Sequence, residues 1–254
     1  MVELRARGIR PLLGNLDDPA SLRRLAGLAN RVLHLAPPPA HGWVDLRTRA
    51  LVQALRRRTA PSVLVYGSTS GVYGNCAGAR VNECRPTRAD TPRARRRTDA
   101  ERAVRFLGRS AGVRTSILRI PGIYAADRPG ATPRARLTRQ TPVLRREDDV
   151  YTNHIHADDL ARACVAALWR GAAQRVYNAS DDTELLMGDY FDLAADVYGL
   201  PRPPRVPRSL AQQHMPLVLL SFMSESRRLD NRRMRQELRV RLRYPTVAAG
   251  LPGG

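Results

Sequence analysis

Ser62-Val63-Leu64-Val65-Tyr66 constrains the fold more than any other stretch, because it is nearly continuous in apolar residues and runs directly into Gly67. A strand with one wet face alternates apolar and polar positions. One without a polar face must be covered on both sides, as in parallel sheets sandwiched by helices. The neighbouring segments fit that demand. Ile9 to Leu13 and Arg31 to Ala36 read as strands, Thr115 to Ile120 as another, and Arg175 to Asn178 as a short one. Between them, helices are predicted from Asp18 (an N-cap followed by Pro19) to about Leu28, from Val44 to Arg57, from Thr98 to Ala111 and from Asp158 to Trp169. Strands alternating with helices predict a parallel α/β sheet. In such a sheet ligands bind beyond the carboxyl ends of the strands, which directs attention to Asn15, Ala36, Ser68, Thr69 and Pro121.

Beyond residue 125 a loop rich in proline and arginine runs to about Val150. A helix is expected around Tyr190 to Val197 and another around Asn231 to Leu238, separated by the proline-rich stretch 199–209. That stretch reads as a spacer before a small carboxyl-terminal lobe. The longest apolar window, residues 215–223, is far short of the roughly 20 residues a membrane helix needs. The amino terminus has no apolar signal core. Three cysteines without C-x-x-C spacing argue against a disulfide framework and for a reducing, cytoplasmic setting.

The formal net charge is +20, and every one of the 43 basic residues is arginine. Without lysine the chain can form no Schiff base, no phosphate-loop ammonium and no Tyr-x-x-x-Lys relay. Arginine is scattered throughout, and its two dense stretches, 93–97 and 227–243, lack interleaved aromatics for base stacking. They read as solvated or ligand-facing groups rather than a specific nucleic-acid surface. Gly67 to Gly74 has the glycine spacing of a phosphate loop, but no capped helix follows it. His154 and His156 have no third ligand at metal spacing, so no metal site is expected. Asp158 and Asp159 read as first-turn carboxylates complementing a helix dipole, and Cys76 and Cys84 as bystanders.

In the order VLVYGSTSGVYG, LRIPGIYAADRPG, NHIHADDLARACVAAL, RVYNASDD and SESRRLDNRRMRQELRVRLRYPT, preceded by GIRPLLGNLDDPASL, the chain resembles the extended short-chain dehydrogenases/reductases, the NAD-dependent epimerase/dehydratase family. The resemblance spans nearly the whole length. It implies a Rossmann-like, doubly wound parallel sheet over residues 1–180, incomplete at its amino terminus, with a substrate lobe over 181–254. In the family a strand, a Gly-rich loop, a helix and a second strand precede the GNLDD segment; a start assigned too late is the expected reason they are not seen here, and a genuinely shortened protein is the alternative. The resemblance implies NAD or NADP as cofactor. It also implies a sugar-nucleotide or small carbonyl/hydroxyl substrate, no specific nucleic acid or membrane partner, and allows a homodimer. By the same resemblance Asn15 and Leu16 would meet the adenine, and Leu35, Ala36 and Pro37 would follow the next strand. Ser68, Arg97 and Pro121 would lie toward the nicotinamide, and Thr69 would hold a substrate oxygen. Counting from Glu101, Arg93 and Arg97 stand where the family carries its Tyr and Lys. Arginine does not release a proton near neutrality. Tyr73 is the phenol that could replace the lost one. The alternative reading is a non-catalytic NAD(P)-binding sensor or scaffold.

Overall fold

The computed structural model describes residues 2–126, 130, 132–215, 220–221 and 223–251. Its centre is a four-stranded parallel sheet: β1 (Arg31–His34), β2 (Val63–Thr69), β3 (Arg114–Ile120) and β4 (Arg175–Asn178), side by side in chain order. Registers run Leu33 against Val65, Val65 against Ser116, and Ile117 against Val176.

The apolar run of β2 is covered on both faces. Leu64 and Tyr66 share a core with Leu51, Val52 and Leu55 of α1 (Leu46–Leu55) and with Ala100, Val104 and Leu107 of α2 (Pro92–Ala111). Val63 and Val65 face the other way, onto Leu160, Ala163 and Cys164 of α3 (Ala157–Arg170). This is the doubly wound arrangement expected from alternation of Cβ direction along a buried strand.

Local chemistry sets the helix ends. The Asp45 carboxylate caps α1 by accepting from the Thr48 amide at 3.0 Å and the Thr48 hydroxyl at 2.8 Å. Thr91 caps α2 through the Ala94 amide, Pro92 fills its first turn, and Gly112 ends it at φ +64°. The helix thus starts at Pro92 rather than at Thr98 as its periodicity indicates, because arginines rather than apolar residues fill its first turns.

Two expected elements are not formed. Residues 9–13 make no strand: Ile9, Leu12 and Leu13 are exposed and no strand pairs with them. The stretch from Asp18 gives only a 3-10 turn, Ser21–Leu25. There Asp18 turns back on the Ala20 amide at 2.9 Å, and few apolar side chains are available for a longer helix to bury.

The lobe has its own core around α4 (Met187–Tyr198), where Met187, Tyr190, Phe191 and Ala194 meet Tyr124, Leu137, Val143, Leu144 and Val150. It therefore draws on the stretch before residue 180 as well as on 181–254. Conversely, Met234, Leu238 and Val240 return to the sheet's second core. Of the apolar window 215–223, residues 216–219 and 222 lie outside the described residues. Among the described residues no helix is long and apolar enough to cross a membrane.

Candidate active-site cleft

Between the sheet's carboxyl edge and the lobe lies a cleft of about 930 Å³. Its walls are the end of β2 (Thr69 to Gly71), the first turns of α2, the segment after β3 (Pro121 to Tyr124), residues 151–154 and Met187, Tyr190 and Phe191 of α4. That is where an open parallel sheet binds ligands.

The floor is a buried polar network. Glu101 and Arg119 are both 3% exposed and form a bidentate pair, with Arg119 Nε to Glu101 Oε1 at 3.0 Å and Nη2 to Oε2 at 2.8 Å. Burial opposes the charged guanidinium, but the Glu101 carboxylate holds Arg119 above its ordinary pKa. Ser68 donates to the same Glu101 oxygen at 2.7 Å, so its hydroxyl serves this network rather than the cleft. Tyr73 belongs to the network too. It is fully buried, the Arg119 guanidinium lies 4.6 Å over its ring, and its hydroxyl donates to Asn178 Oδ1 at 2.7 Å. Burial also raises its pKa. Tyr73 is not among the residues lining the cleft, and its hydroxyl is engaged by Asn178.

Thr69 is placed differently. It is half-buried on the cleft wall, and its Oγ1 accepts from the Gly71 amide at 3.3 Å, which leaves the hydroxyl hydrogen to point elsewhere. The glycine-rich segment around it is the end of β2 and a 3-10 turn (Ser70–Tyr73), with no α-helix behind it, so the phosphate-loop geometry is not formed. Gly74 is required there: at φ +65°, a Cβ would stand 2.3 Å from the Arg88 carbonyl oxygen.

The other expected contact residues lie on separate segments. Arg47 grips Asp17 with two hydrogen bonds of 2.7 and 2.6 Å and donates to the Pro37 carbonyl at 3.3 Å. It thereby ties the Asn15–Leu16 turn to the Leu35–Ala36–Pro37 segment after β1. Leu35 lies over the end of β2, where a Cβ on Gly67 would meet its Cδ2 at 2.8 Å. Arg97 donates to the Gly67 carbonyl at 2.8 Å and the Tyr66 hydroxyl at 3.1 Å. Pro121 stands on the cleft wall. Asn15 spends its side-chain carbonyl on the Asp17 amide, and Leu16 packs under α1.

Several cleft residues were not foreseen from sequence. His154 stacks on Tyr190 at 4.2 Å, and burial lowers its pKa to about 4, so it is neutral at pH 7. Arg227, from a stretch that reads as solvated or ligand-facing, is 8% exposed and donates to the Gly74 carbonyl at 2.7 Å and to Glu225 at 2.8 Å. Arg136 lies 4.2 Å over the Phe191 ring. Only long-range packing brings these residues to the cleft. Asp159 also does more than complement a dipole: it accepts from the Arg243 and Tyr244 amides at 2.9 and 2.8 Å, anchoring the last segment.

A doubly wound α/β core with a cleft between the strand ends and a lobe is the architecture of a Rossmann-like dinucleotide-binding protein. The chain belongs to the NAD dependent epimerase/dehydratase family, whose sequence profile matches residues 44–180. A functionally unknown conserved protein from Silicibacter pomeroyi is 29% identical, with a TM-score of 0.80 over 99% of this chain and 84% of that one. RMD from Pseudomonas aeruginosa, solved with NADPH, is 20% identical (TM-score 0.75, 96% of this chain, 87% of that one). UDP-glucose 4-epimerase from Thermotoga maritima, solved with UDP-glucose, is 17% identical (TM-score 0.76, 93% and 80%). The last two establish the shared fold alone. No functionally curated protein matches the sequence.

Proposed function

We propose that the chain is an NAD(P)-dependent oxidoreductase or epimerase-like enzyme acting on a sugar-nucleotide or small carbonyl/hydroxyl substrate in this cleft. The observation that carries the reading is the Thr69 hydroxyl on the cleft wall at the carboxyl end of a central strand, its acceptor side already used by Gly71. Family membership and the NADPH and UDP-glucose of the structural relatives support it.

The residues present fit the nicotinamide half of a dinucleotide. Pro121 stands on the cleft wall, Leu35, Ala36 and Pro37 offer an apolar ledge after β1, and Arg97, bonded to the Gly67 carbonyl at the end of β2, is a cation whose Nε lacks a hydrogen-bond partner. Among the described residues no Gly-rich turn at a helix start is present to cradle the pyrophosphate. Bound there, the nicotinamide would supply hydride chemistry. The chain's own part is to hold the substrate: Thr69 donates to the reacting oxygen, the lobe's Tyr190 and Phe191 exclude water, and the Glu101–Arg119 pair fixes the strand ends. Arg93 and Arg97 orient and neutralise charge but relay no proton.

Calorimetric titration with NAD and NADP, followed by nicotinamide absorbance against a panel of sugar nucleotides and small carbonyl compounds, tests the reading. Binding of one cofactor with turnover is expected. Thr69→Ala should lower the rate on the order of 10²-fold while leaving cofactor affinity unchanged. Binding without turnover on any substrate would favour the sensor, and no binding of either cofactor would overturn the reading.

A further inference from the structure

Charge along the cleft is one-sided. Among the described residues its wall carries four guanidinium groups, Arg93, Arg96, Arg136 and Arg227, and a single carboxylate, Glu225, already engaged by Arg227 at 2.8 Å. His154 on the same wall is neutral. Arg96 and Arg227 are 7% and 8% exposed, and each spends Nη1 on a backbone carbonyl: Gly42 at 2.6 Å and Gly74 at 2.7 Å. The Nε atoms of both lack an acceptor, as do Nε and Nη2 of Arg136. Four guanidinium groups against one carboxylate along a single cleft leave positive charge for an anion to balance. The first turn of α2, a helix of 20 residues, opens onto the same wall and adds its positive end. Partial desolvation and the like charges of Arg97 and Arg96 lower the pKa of Arg93, and Glu225 only partly offsets them.

We infer that the cleft takes an anionic substrate and seats its carboxylate or phosphate group at the amino-terminal turn of α2, against Arg93, Arg96 and Arg227. The seat coincides with the place where the family resemblance puts a proton-donating phenol. A fork of fixed positive charge replaces an acid, so the substrate end lying there brings an oxyanion rather than a hydroxyl to be deprotonated. Arg136, held on the lobe by Phe191, meets the same ligand from the other side of the cleft. The inference rests on reading this cleft as the substrate site and adds the class of substrate it admits.

At constant ionic strength, the full chain is titrated with inorganic pyrophosphate and, separately, with malonate, following thermal shift and calorimetry. Arg93→Gln and Arg102→Gln are compared, since each removes one positive charge and both side chains are exposed, but Arg102 does not line the cleft. Saturable binding is expected, weakened about tenfold in Arg93→Gln and unchanged in Arg102→Gln. Tighter pyrophosphate identifies a phosphoryl ligand, and tighter malonate a carboxylate. Equal loss in the two variants would reduce the effect to net charge and overturn the seat, as would the lack of saturable binding by either anion. Arg96→Gln and Arg227→Gln, checked for folding by circular dichroism, should weaken the same titration. NAD(P) titrations on the same samples keep the two readings apart. Cofactor binding without anion binding removes only this inference, and anion binding without cofactor binding removes only the proposed function.

Discussion

The centre of the sheet and its β1 edge are made from similar residues and behave as opposites. At the centre, Val65 and Leu118 are 0% exposed, and the Ser68, Glu101, Arg119, Tyr73 and Asn178 side chains bond to one another in the dark. At the edge, among the described residues, β1 pairs only with β2, and Leu33, Leu35 and, on the adjoining end of α3, Trp169 are 38%, 48% and 60% exposed. Arg31 lies 3.9 Å over the Trp169 ring as a partial cover. The difference shows where this sheet's stability and its site geometry are held. Both depend on the centre, where burial and polar satisfaction coincide. The edge contributes backbone hydrogen bonds on one side only.

The largest expected effect breaks the centre. In Glu101→Gln the Arg119 charge stays buried with its counter-charge gone. Removing one partner of such a pair costs about 3–5 kcal/mol, and urea unfolding should show a loss of that size. A loss below about 1 kcal/mol would mean that solvent reaches Arg119 and that centre and edge differ less than their exposure indicates.

Within the centre one group is an exception, and it sharpens the comparison. Asp181 is 3% exposed; one carboxylate oxygen accepts from the Thr183 amide at 3.0 Å and the other has no partner. Burial, aided by Asp182 and Asp159, pushes its pKa up to about 7 from an ordinary 3.8. The folded state therefore keeps a proton that the unfolded chain releases near pH 4. The stability this gives is full below pH 4 and is lost as pH rises to about 7, at no more than about 1.4 kcal/mol per pH unit. Asp181→Asn should remove that decline, so the variant gains on the parent between pH 4 and 7 and runs parallel to it above. His34 and His154, whose pKa values burial lowers to about 4, act with the opposite sign, since the unfolded chain binds their protons first. They are common to both proteins and cancel in the difference. A constant difference across pH 4–7 would place Asp181 in contact with water.

The centre was also what the sequence made legible, and for the same reason. A run such as Val63 to Tyr66 has one physical solution, whereas the caps at Asp45 and Thr91, which set where the two covering helices begin, were not read from the sequence. The strand expected at Ile9 to Leu13 was not legible in that way. An apolar pentapeptide becomes a strand only when a neighbour accepts its hydrogen bonds, and none does. In the cleft, Thr69 and Pro121 follow from their position after strands. Ser68 and Tyr73 occupy similar positions, yet their hydroxyls turn inward, because the partners that claim them, Glu101 and Asn178, lie 33 and 105 residues away. Arg227 and Arg136 reach the cleft only through the lobe's packing, and the sequence did not separate them from the arginines around them.

The smallest effect is a direct measure of the edge. Leu33 and Val65 face each other on one rung of the β1–β2 ladder, the first 38% exposed and the second fully buried. Replacing each with threonine keeps the branched, strand-favouring shape at Val65 and adds the same hydroxyl to both. Val65→Thr buries an oxygen among Leu118, Leu160 and Ala163, with a cost of about 1–3 kcal/mol. Leu33→Thr places its hydroxyl in water and should change stability by no more than about 0.5 kcal/mol. Two positions one strand apart would then differ severalfold for one chemical change. Equal losses would mean that something covers the β1 edge in solution. A change in sedimentation with protein concentration, present in the parent and abolished by Leu33→Thr, would identify that cover as a second copy of the chain.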